Sequence, residues 1–222
     1  KNTTTREMKK LLLIFSSSFL FISSTFSQGH VKQNYDSLWY FYPFTIDLSA
    51  GVWTPIDKLS EYYYPSPQFG GGFGLMVSRK MRFQLWIMPR ILNQKNSLLL
   101  NLNDSVVEYN KNSVGASLGG WLSYTFYQDR IVSTEILTGI TWEDIPTNIM
   151  KANNKDSVSI SGLGLSIGIN SWINTFSKLN FGLRAIYTYC TYNNSKYLAS
   201  PIGGHSLTFS LVYRFPKRSQ EF

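Results

Sequence analysis

One adjacent pair near the C-terminus carries side chains capable of hydrolytic chemistry. His205 is followed directly by Ser206, and a histidine that takes the hydroxyl proton turns a serine into a nucleophile. Residues 204–215, GHSLTFSLVYRF, alternate large apolar and small or polar side chains, which predicts a β-strand. Neighbouring side chains of a strand point to opposite faces, so His205 faces outward with Leu207 while Ser206 faces inward. The pair therefore does not predict a catalytic site.

Six charged residues fall on the polar faces of the predicted strands. They are Asp47, Arg82, Arg90, Glu135, Arg184 and Arg214. Burying charges is costly unless they are paired, so these residues predict a structural charge network inside the fold, with a catalytic or gating role as the alternative. We expect Asp47 to pair with Arg214, because the first and last strands must adjoin, and Glu135 to pair with Arg184 at a similar depth.

Eight stretches of the chain show the alternation that positions these charges. They lie at 44–52, 69–77, 81–91, 114–126, 132–142, 158–170, 179–189 and 204–215. Their length of roughly ten residues suits a tilted strand that crosses a bilayer and exceeds the five or six usual in a soluble sheet. In the sixth stretch the alternation changes phase, which predicts a β-bulge near Ser161 and Gly162.

The composition of the two faces indicates which one meets lipid. A soluble barrel is apolar inside and charged outside, whereas here the polar face is mostly Gly, Ser, Thr and Asn. Aromatic residues gather at the strand ends and predict two girdles. The girdle at one end is Trp53, Trp142, Tyr187 and Tyr189, and at the other Phe83, Tyr124, Phe126, Tyr213 and Phe215. We expect an all-β, membrane-spanning, antiparallel up-and-down β-barrel of about eight strands; aromatics that fill a soluble core are the alternative.

The connections between the strands alternate in length. Residues 78–80, 127–130 and 174–178 are short turns, whereas 54–67, 93–112, 143–156 and 190–204 are long and polar. Outer-membrane barrels have short periplasmic turns and long extracellular loops. Loop 93–112 contains two β-prone runs around NLND, which predict a hairpin, and loop 54–67 contains the aromatic cluster EYYYPSP. These two loops suit contact with a protein or glycan, or they simply cap the barrel mouth.

The interior of an eight-stranded barrel is nearly filled by side chains, so an open pore is not expected. Pairing the strands around the turn at 78–81 sets Gly74 beside Trp86 and Gly72 beside Met88. The glycines leave volume for the large neighbours, which predicts a packed interior.

The N-terminal segment has the pattern of a secretory leader. Residues 8–27 contain Met8, two lysines and an apolar stretch broken by serines, which predicts a signal peptide cleaved after Ser27. We expect Met8 to be the start methionine, with residues 1–7 before it. We expect a periplasmic segment at 28–42, the barrel at 43–216 and a tail at 217–222. The single cysteine, Cys190, permits no intrachain disulfide.

The net charge and the motif content exclude several functions. The chain carries +8, and the leader holds four basic residues and one acidic residue, so the rest carries +5. These charges are scattered without a basic stripe, and an exported protein does not meet the cell's nucleic acid, so we expect no nucleic-acid partner. The sequence has no metal-ligand spacing, phosphate-binding loop or CxxC, so it predicts no cofactor and no metal.

The last strand, which alternates and ends at the aromatic Phe215, resembles the C-terminal assembly signal of bacterial outer-membrane β-barrel proteins. The leader ending in FSQ is similar to those of Bacteroidetes-type outer-membrane proteins. The resemblance is a pattern over the mature chain, and it departs from the usual signal because PKRSQEF follows Phe215. It implies outer-membrane localisation, with membrane lipid and lipopolysaccharide as partners.

We expect a non-enzymatic barrel with a structural or surface-interaction role, which includes service as an accessory of a larger envelope complex. One alternative is a lipid A-modifying barrel enzyme of the deacylase or acyltransferase type. The deacylase pattern needs a His and a Ser with one residue between them, so that both side chains lie on the same face. This chain departs from it, because His205 and Ser206 are adjacent. The other alternative is a lateral conduit for small hydrophobic molecules.

Overall fold

The computed structural model describes residues 44–216 except 79, 103–104, 130, 151–156, 175–179, 193–197 and 200–201. The predicted signal peptide, the segment 28–42 and the tail 217–222 lie outside the described residues. The chain divides into two units, Lys1–Tyr40 and Phe41–Phe222, and all described residues belong to the second. Among them, no helix has the length and apolar character needed to cross a membrane.

Eight strands form one closed antiparallel barrel, and two further strands form a separate hairpin. The barrel strands are β1 (Phe44–Ile56), β2 (Ser66–Met76), β3 (Met81–Leu92), β6 (Ser113–Gln128), β7 (Val132–Met150), β8 (Ser157–Asn174), β9 (Asn180–Tyr192) and β10 (Ile202–Pro216), the hairpin is β4 (Leu98–Leu102) with β5 (Ser105–Tyr109), and a short helix, α1, spans Leu59–Tyr62. Consecutive barrel strands pair, and β1 pairs with β10 to close the barrel. This confirms the predicted up-and-down barrel of eight strands.

The apolar side chains of the barrel strands point away from its axis. Ile87, Leu165 and Leu183 expose 56%, 64% and 59% of their surface, although each lies within a strand of the barrel. Side chains that alternate with them are buried inside the barrel, including Ser166 and Arg184. A continuous apolar exterior of this extent is the lipid-facing band of a membrane barrel.

The glycines of β2 make room for a tryptophan, but the register differs from the prediction by two residues. Gly72, not Gly74, pairs with Trp86, and Gly74 pairs with Gln84. A Cβ on Gly72 would lie 2.4 Å from the Trp86 indole, so only glycine fits there. The prediction was wrong because alternation fixes which face a residue occupies, whereas the turn geometry fixes the register.

The predicted bulge near Ser161 and Gly162 is also wrong. The pairing of β7 with β8 runs without a shift from Pro146–Ser159 to Val132–Ile173. Ile160 instead points inward and is 1% exposed. The phase of the apolar residues changes because the interior itself becomes apolar at this end of the barrel.

The region at 143–156, predicted to be a long loop, is mostly strand. β7 continues to Met150 and β8 begins at Ser157, which leaves only 151–156 as the connection. The prediction equated polar residues with a loop, but strands that extend past the lipid band no longer need an apolar outward face. Glu143 therefore lies in a strand and points inward.

Candidate functional site in the barrel interior and its cap

Asp47 and Arg214 form a bidentate ion pair inside the barrel. Closure of β1 on β10 sets the two residues opposite each other. Nε and Nη2 of Arg214 donate to the two carboxylate oxygens of Asp47 at 2.8 and 2.9 Å. Nη2 of Arg184 lies 3.9 Å from the same carboxylate, so Asp47 is shared by two guanidinium groups.

Glu135 is the second acidic centre of the interior, and its partners differ from the expected one. Its Oε1 lies 3.4 Å from Nη1 of Arg82 and 3.5 Å from Nη1 of Arg214. Arg184 does not pair with it directly, which corrects the prediction. Asn170 stands between them: it accepts from Nε of Arg184 at 2.9 Å and donates to Oε2 of Glu135 at 3.4 Å. The amide is needed because the two charged groups sit on either side of β8.

Indole rings cover the guanidinium groups of this network. The guanidinium carbon of Arg184 lies 3.8 Å from the Trp86 ring centre and 5.4 Å from that of Trp121, and that of Arg214 lies 3.7 Å from Trp172. Three arginines face only two carboxylates here, so these cation–π contacts supply part of the missing negative potential. The inward position of these indole rings could have been predicted from the sequence, because all three tryptophans alternate with outward-facing apolar residues of their strands.

Arg90 belongs to a separate pair nearer the long-loop end. It donates through Nη2 to Oε2 of Glu143, and Ser117 donates to Oε1 of the same carboxylate at 2.8 Å. Glu143 was not predicted here because its strand was taken for a loop. The Trp53 ring lies 4.8 Å from the Arg90 guanidinium carbon, and Trp53 is 2% exposed. Trp53 therefore does not belong to the outer girdle, because its parity directs it inward.

The other predicted girdle residues lie on the outer surface. At the long-loop end these are Trp142, Tyr187 and Tyr189, and at the short-turn end Phe83, Tyr124, Phe126 and Phe215, with Tyr213 half-buried between neighbouring rings. Tyr213 contacts Phe181 and Phe215, with ring centres 5.1 and 4.4 Å apart. This placement positions aromatic side chains at both borders of the apolar band.

His205 and Ser206 point in opposite directions. Ser206 is buried in the interior, whereas His205 lies on the outer face. The Nδ1 atom of His205 is hydrogen-bonded to the Tyr187 hydroxyl, and its Nε2 lies 3.5 Å from a carboxylate oxygen of Asp57. The imidazole cannot take a proton from Ser206 in this arrangement. The second histidine, His30, lies outside the described residues.

A cap covers the long-loop end of the barrel. It is formed by the described residues of three connections, 57–65, 93–112 and 198–199. The backbone nitrogen of Tyr64 donates to the carbonyl of Asn93 at 2.9 Å, and that of Lys95 donates to Tyr62 at 2.7 Å. The predicted hairpin is confirmed as β4 and β5, and it does not project freely. Apolar side chains from the cap and the strand ends form one buried cluster: Trp53, Leu59, Tyr63, Leu92, Leu98, Leu100, Tyr109, Ile145, Ile160, Cys190, Tyr192, Leu198 and Ile202.

Tyr63 lies at the centre of this cap with 2% of its surface exposed. Burial raises the pKa of its hydroxyl above the ordinary value of 10.0, and the neighbouring Tyr109 raises it further. The hydroxyl oxygens of both tyrosines have no hydrogen-bond partner among the described residues. Tyr63 therefore stays neutral in the folded cap.

Metal binding has no support within the described ranges, where no three His, Cys, Asp or Glu side chains are grouped as metal ligands. The interior acidic groups are each engaged by arginine. Among the described residues, this arrangement neutralises buried charge and fills the interior.

Comparison with known proteins shows the fold. No protein-family model and no curated protein matches the chain. Neisserial surface protein A is 10% identical over 79% of this chain and 97% of its own, with a TM-score of 0.57. The N-terminal β-barrel domain of OprF from Pseudomonas aeruginosa is 11% identical over 77% of this chain and 97% of its own, with a TM-score of 0.43. The attachment invasion locus protein Ail of Yersinia pestis is 14% identical over 78% of this chain and 97% of its own, with a TM-score of 0.43. The chain thus has the fold of a small outer-membrane β-barrel.

Proposed function

We propose that this protein is a non-enzymatic outer-membrane barrel that presents a structured cap to other molecules at the cell surface. The observation that carries the proposal is that large side chains fill the middle of the barrel interior. Trp86, Trp121, Trp172 and Arg184 are each at most 2% exposed, and the three indole rings lie against the guanidinium groups of the ion-pair network. A barrel closed in this way acts through its outer surface and not through its lumen.

The location rests on the apolar exterior, the aromatic borders and the predicted signal peptide. Outer-membrane lipid and lipopolysaccharide would surround the band, with the long-loop end and its cap outside the cell. All eight strand interfaces are hydrogen-bonded ladders, which gives no support to a lateral conduit.

The cap supports a surface-interaction role because it exposes apolar and aromatic groups outside the lipid band. Tyr64 and Leu99 expose 51% and 46% of their surface, and Nζ of Lys95 lies 5.7 Å from the Tyr64 ring centre. Exposed aromatic and cationic groups on a rigid frame suit protein or glycan recognition. A role as accessory to a larger envelope complex would use the same surface.

Three measurements test this function. The purified barrel in planar bilayers should give no conductance steps, because the tryptophans block the lumen. Lipid A from cells with and without the gene should have the same mass. The barrel in nanodiscs should bind members of a protein or glycan array, and Tyr64→Ala should weaken that binding whereas Tyr124→Phe, on the opposite border, should not. A gene-dependent change in lipid A mass would favour the enzyme.

A further inference from the structure

The orientation of β4 fixes the orientation of its partner strand β5. The backbone nitrogen of Ala199 donates to the carbonyl of Leu99 at 3.0 Å, and Leu100 forms a bridge with Leu198. The carbonyl of Leu99 therefore points away from β5. In an antiparallel ladder, two kinds of residue pair alternate. In a hydrogen-bonded pair the two residues exchange backbone hydrogen bonds, whereas in a non-hydrogen-bonded pair their N–H and C=O groups point away from each other.

Leu99 lies opposite Glu108, and Asn101 lies opposite Val106. Since Leu99 points away from β5, both pairs are of the non-hydrogen-bonded kind. The N–H and C=O groups of Val106 and Glu108 must then point to the other edge of β5. Within the part of the chain that the structure describes, these groups have no backbone partner.

This edge lacks three of the features that protect exposed strands. Lysine, proline and bulges discourage pairing at a strand edge, and β5 (SVVEY) contains none of them. Val106 is 60% exposed, and the other side of the hairpin is held by Leu98, Leu100 and Tyr109 in the cap cluster. The edge is thus presented on an anchored support.

We propose that β5 receives an extended segment of a partner protein as an added strand, with an apolar residue opposite Val106 and a basic residue opposite Glu108. Main-chain hydrogen bonds provide affinity in such strand addition, and alternate side chains provide specificity. The proposal rests on the proposed surface-interaction function and names the kind of partner. Glu108 forms no ion pair among the described residues, so its charge is available to the incoming strand.

Charge argues against a second copy of this chain as the occupant. Self-pairing centred on Val107 would place each Glu108 opposite Val106 of the copy and bring the two Glu108 carboxylates into diagonal contact. Like charges across strands are destabilising. A basic, extended segment removes this repulsion.

The test uses the full barrel in nanodiscs and the nine-residue peptide TVTKTVTKT, in which valine and lysine alternate at every second position. The peptide should slow amide exchange at Val106 and Glu108. Val106→Pro removes an edge N–H without touching the β4 ladder and should weaken binding at least tenfold. Val106→Thr keeps the N–H and should bind like the native chain.

Glu108→Lys provides an independent readout, since it should reverse the preference toward a peptide with glutamate in place of lysine. The proposal is overturned if Val106→Pro binds as well as Val106→Thr, if the preference does not reverse, or if protection appears elsewhere. If the barrel fails these tests but still binds members of the protein or glycan array, strand addition is rejected and the proposed function stands. If the barrel also binds no member of the array, the proposed function is rejected.

Discussion

At the residue scale, the barrel interior is governed by an excess of positive charge. Asp47 and Glu135 face Arg82, Arg184 and Arg214, so one guanidinium has no full counter-charge. Arg184 has the longest carboxylate contact, at 3.9 Å, and its guanidinium carbon lies near two indole rings, at 3.8 Å from Trp86 and 5.4 Å from Trp121. It is therefore the charge that the network can lose most easily.

We predict that Asp47→Asn destabilises the barrel by about 3–5 kcal/mol, the usual cost of leaving a buried charge without its partner. Arg184→Leu should cost less, because it removes the excess charge and leaves both carboxylates paired. Urea unfolding in bilayers measures the two variants side by side. Equal losses of unfolding free energy, or a larger loss for Arg184→Leu, would show that Asp47 is not the centre of the network.

A second prediction at this scale concerns the outward face. Leu183→Arg should cost roughly 2–4 kcal/mol, because the guanidinium would lie near the bilayer midplane. The conservative Leu183→Ile measures the effect of shape alone and should cost much less. The free energy of unfolding in lipid vesicles gives both values; a tolerated arginine would mean that this face meets water.

At the element scale, alternation predicted the barrel strands because each has one mainly apolar face, and the two β-prone runs around NLND predicted the hairpin. Alternation failed where the environment of a face changes along the strand. Ile145 and Ile160 are inward and apolar beyond the lipid band, so their strands lost the expected pattern. Arg90 and Glu143 were consequently not paired in the prediction, since Glu143 was assigned to a loop.

Register and pair identity could not be predicted for a related reason. The sequence placed Glu135 and Arg184 on the same inner surface, but Asn170 on the intervening strand separates them. Which arginine reaches which carboxylate depends on stagger between strands, and parity alone does not fix stagger. Asp47 and Arg214 were accessible to prediction only because barrel closure joins their strands.

The cap provides a pH-dependent prediction. Burial raises the pKa of Tyr63 above 10.0, so the folded cap retains a proton that the opened chain releases. Stability of the cap should therefore be intact below pH 10.0 and fall as the pH rises above it. Tyr63→Phe should reduce this alkaline loss, measured by amide exchange in the hairpin between pH 8 and pH 11; an unchanged loss in the variant would assign it to other groups.

At the scale of the whole molecule, the barrel has an apolar outer surface suited to lipid and a mainly polar interior. The exterior of the barrel is apolar and the interior is polar, which is stable only if lipid covers the outside and closure of the sheet satisfies every strand edge. The eight-strand closure from β1 to β10 satisfies the second condition. The first condition is the central claim, because the surface role of the cap depends on the barrel being held in a membrane.

Refolding of residues 28–222 with and without lipid tests that claim most directly. In buffer alone the chain should precipitate, because the outward leucines, isoleucines and aromatic residues would be exposed to water. In bilayers or micelles it should fold into a β-rich form whose gel mobility changes on heating. A soluble, folded monomer in lipid-free and detergent-free buffer would contradict the account.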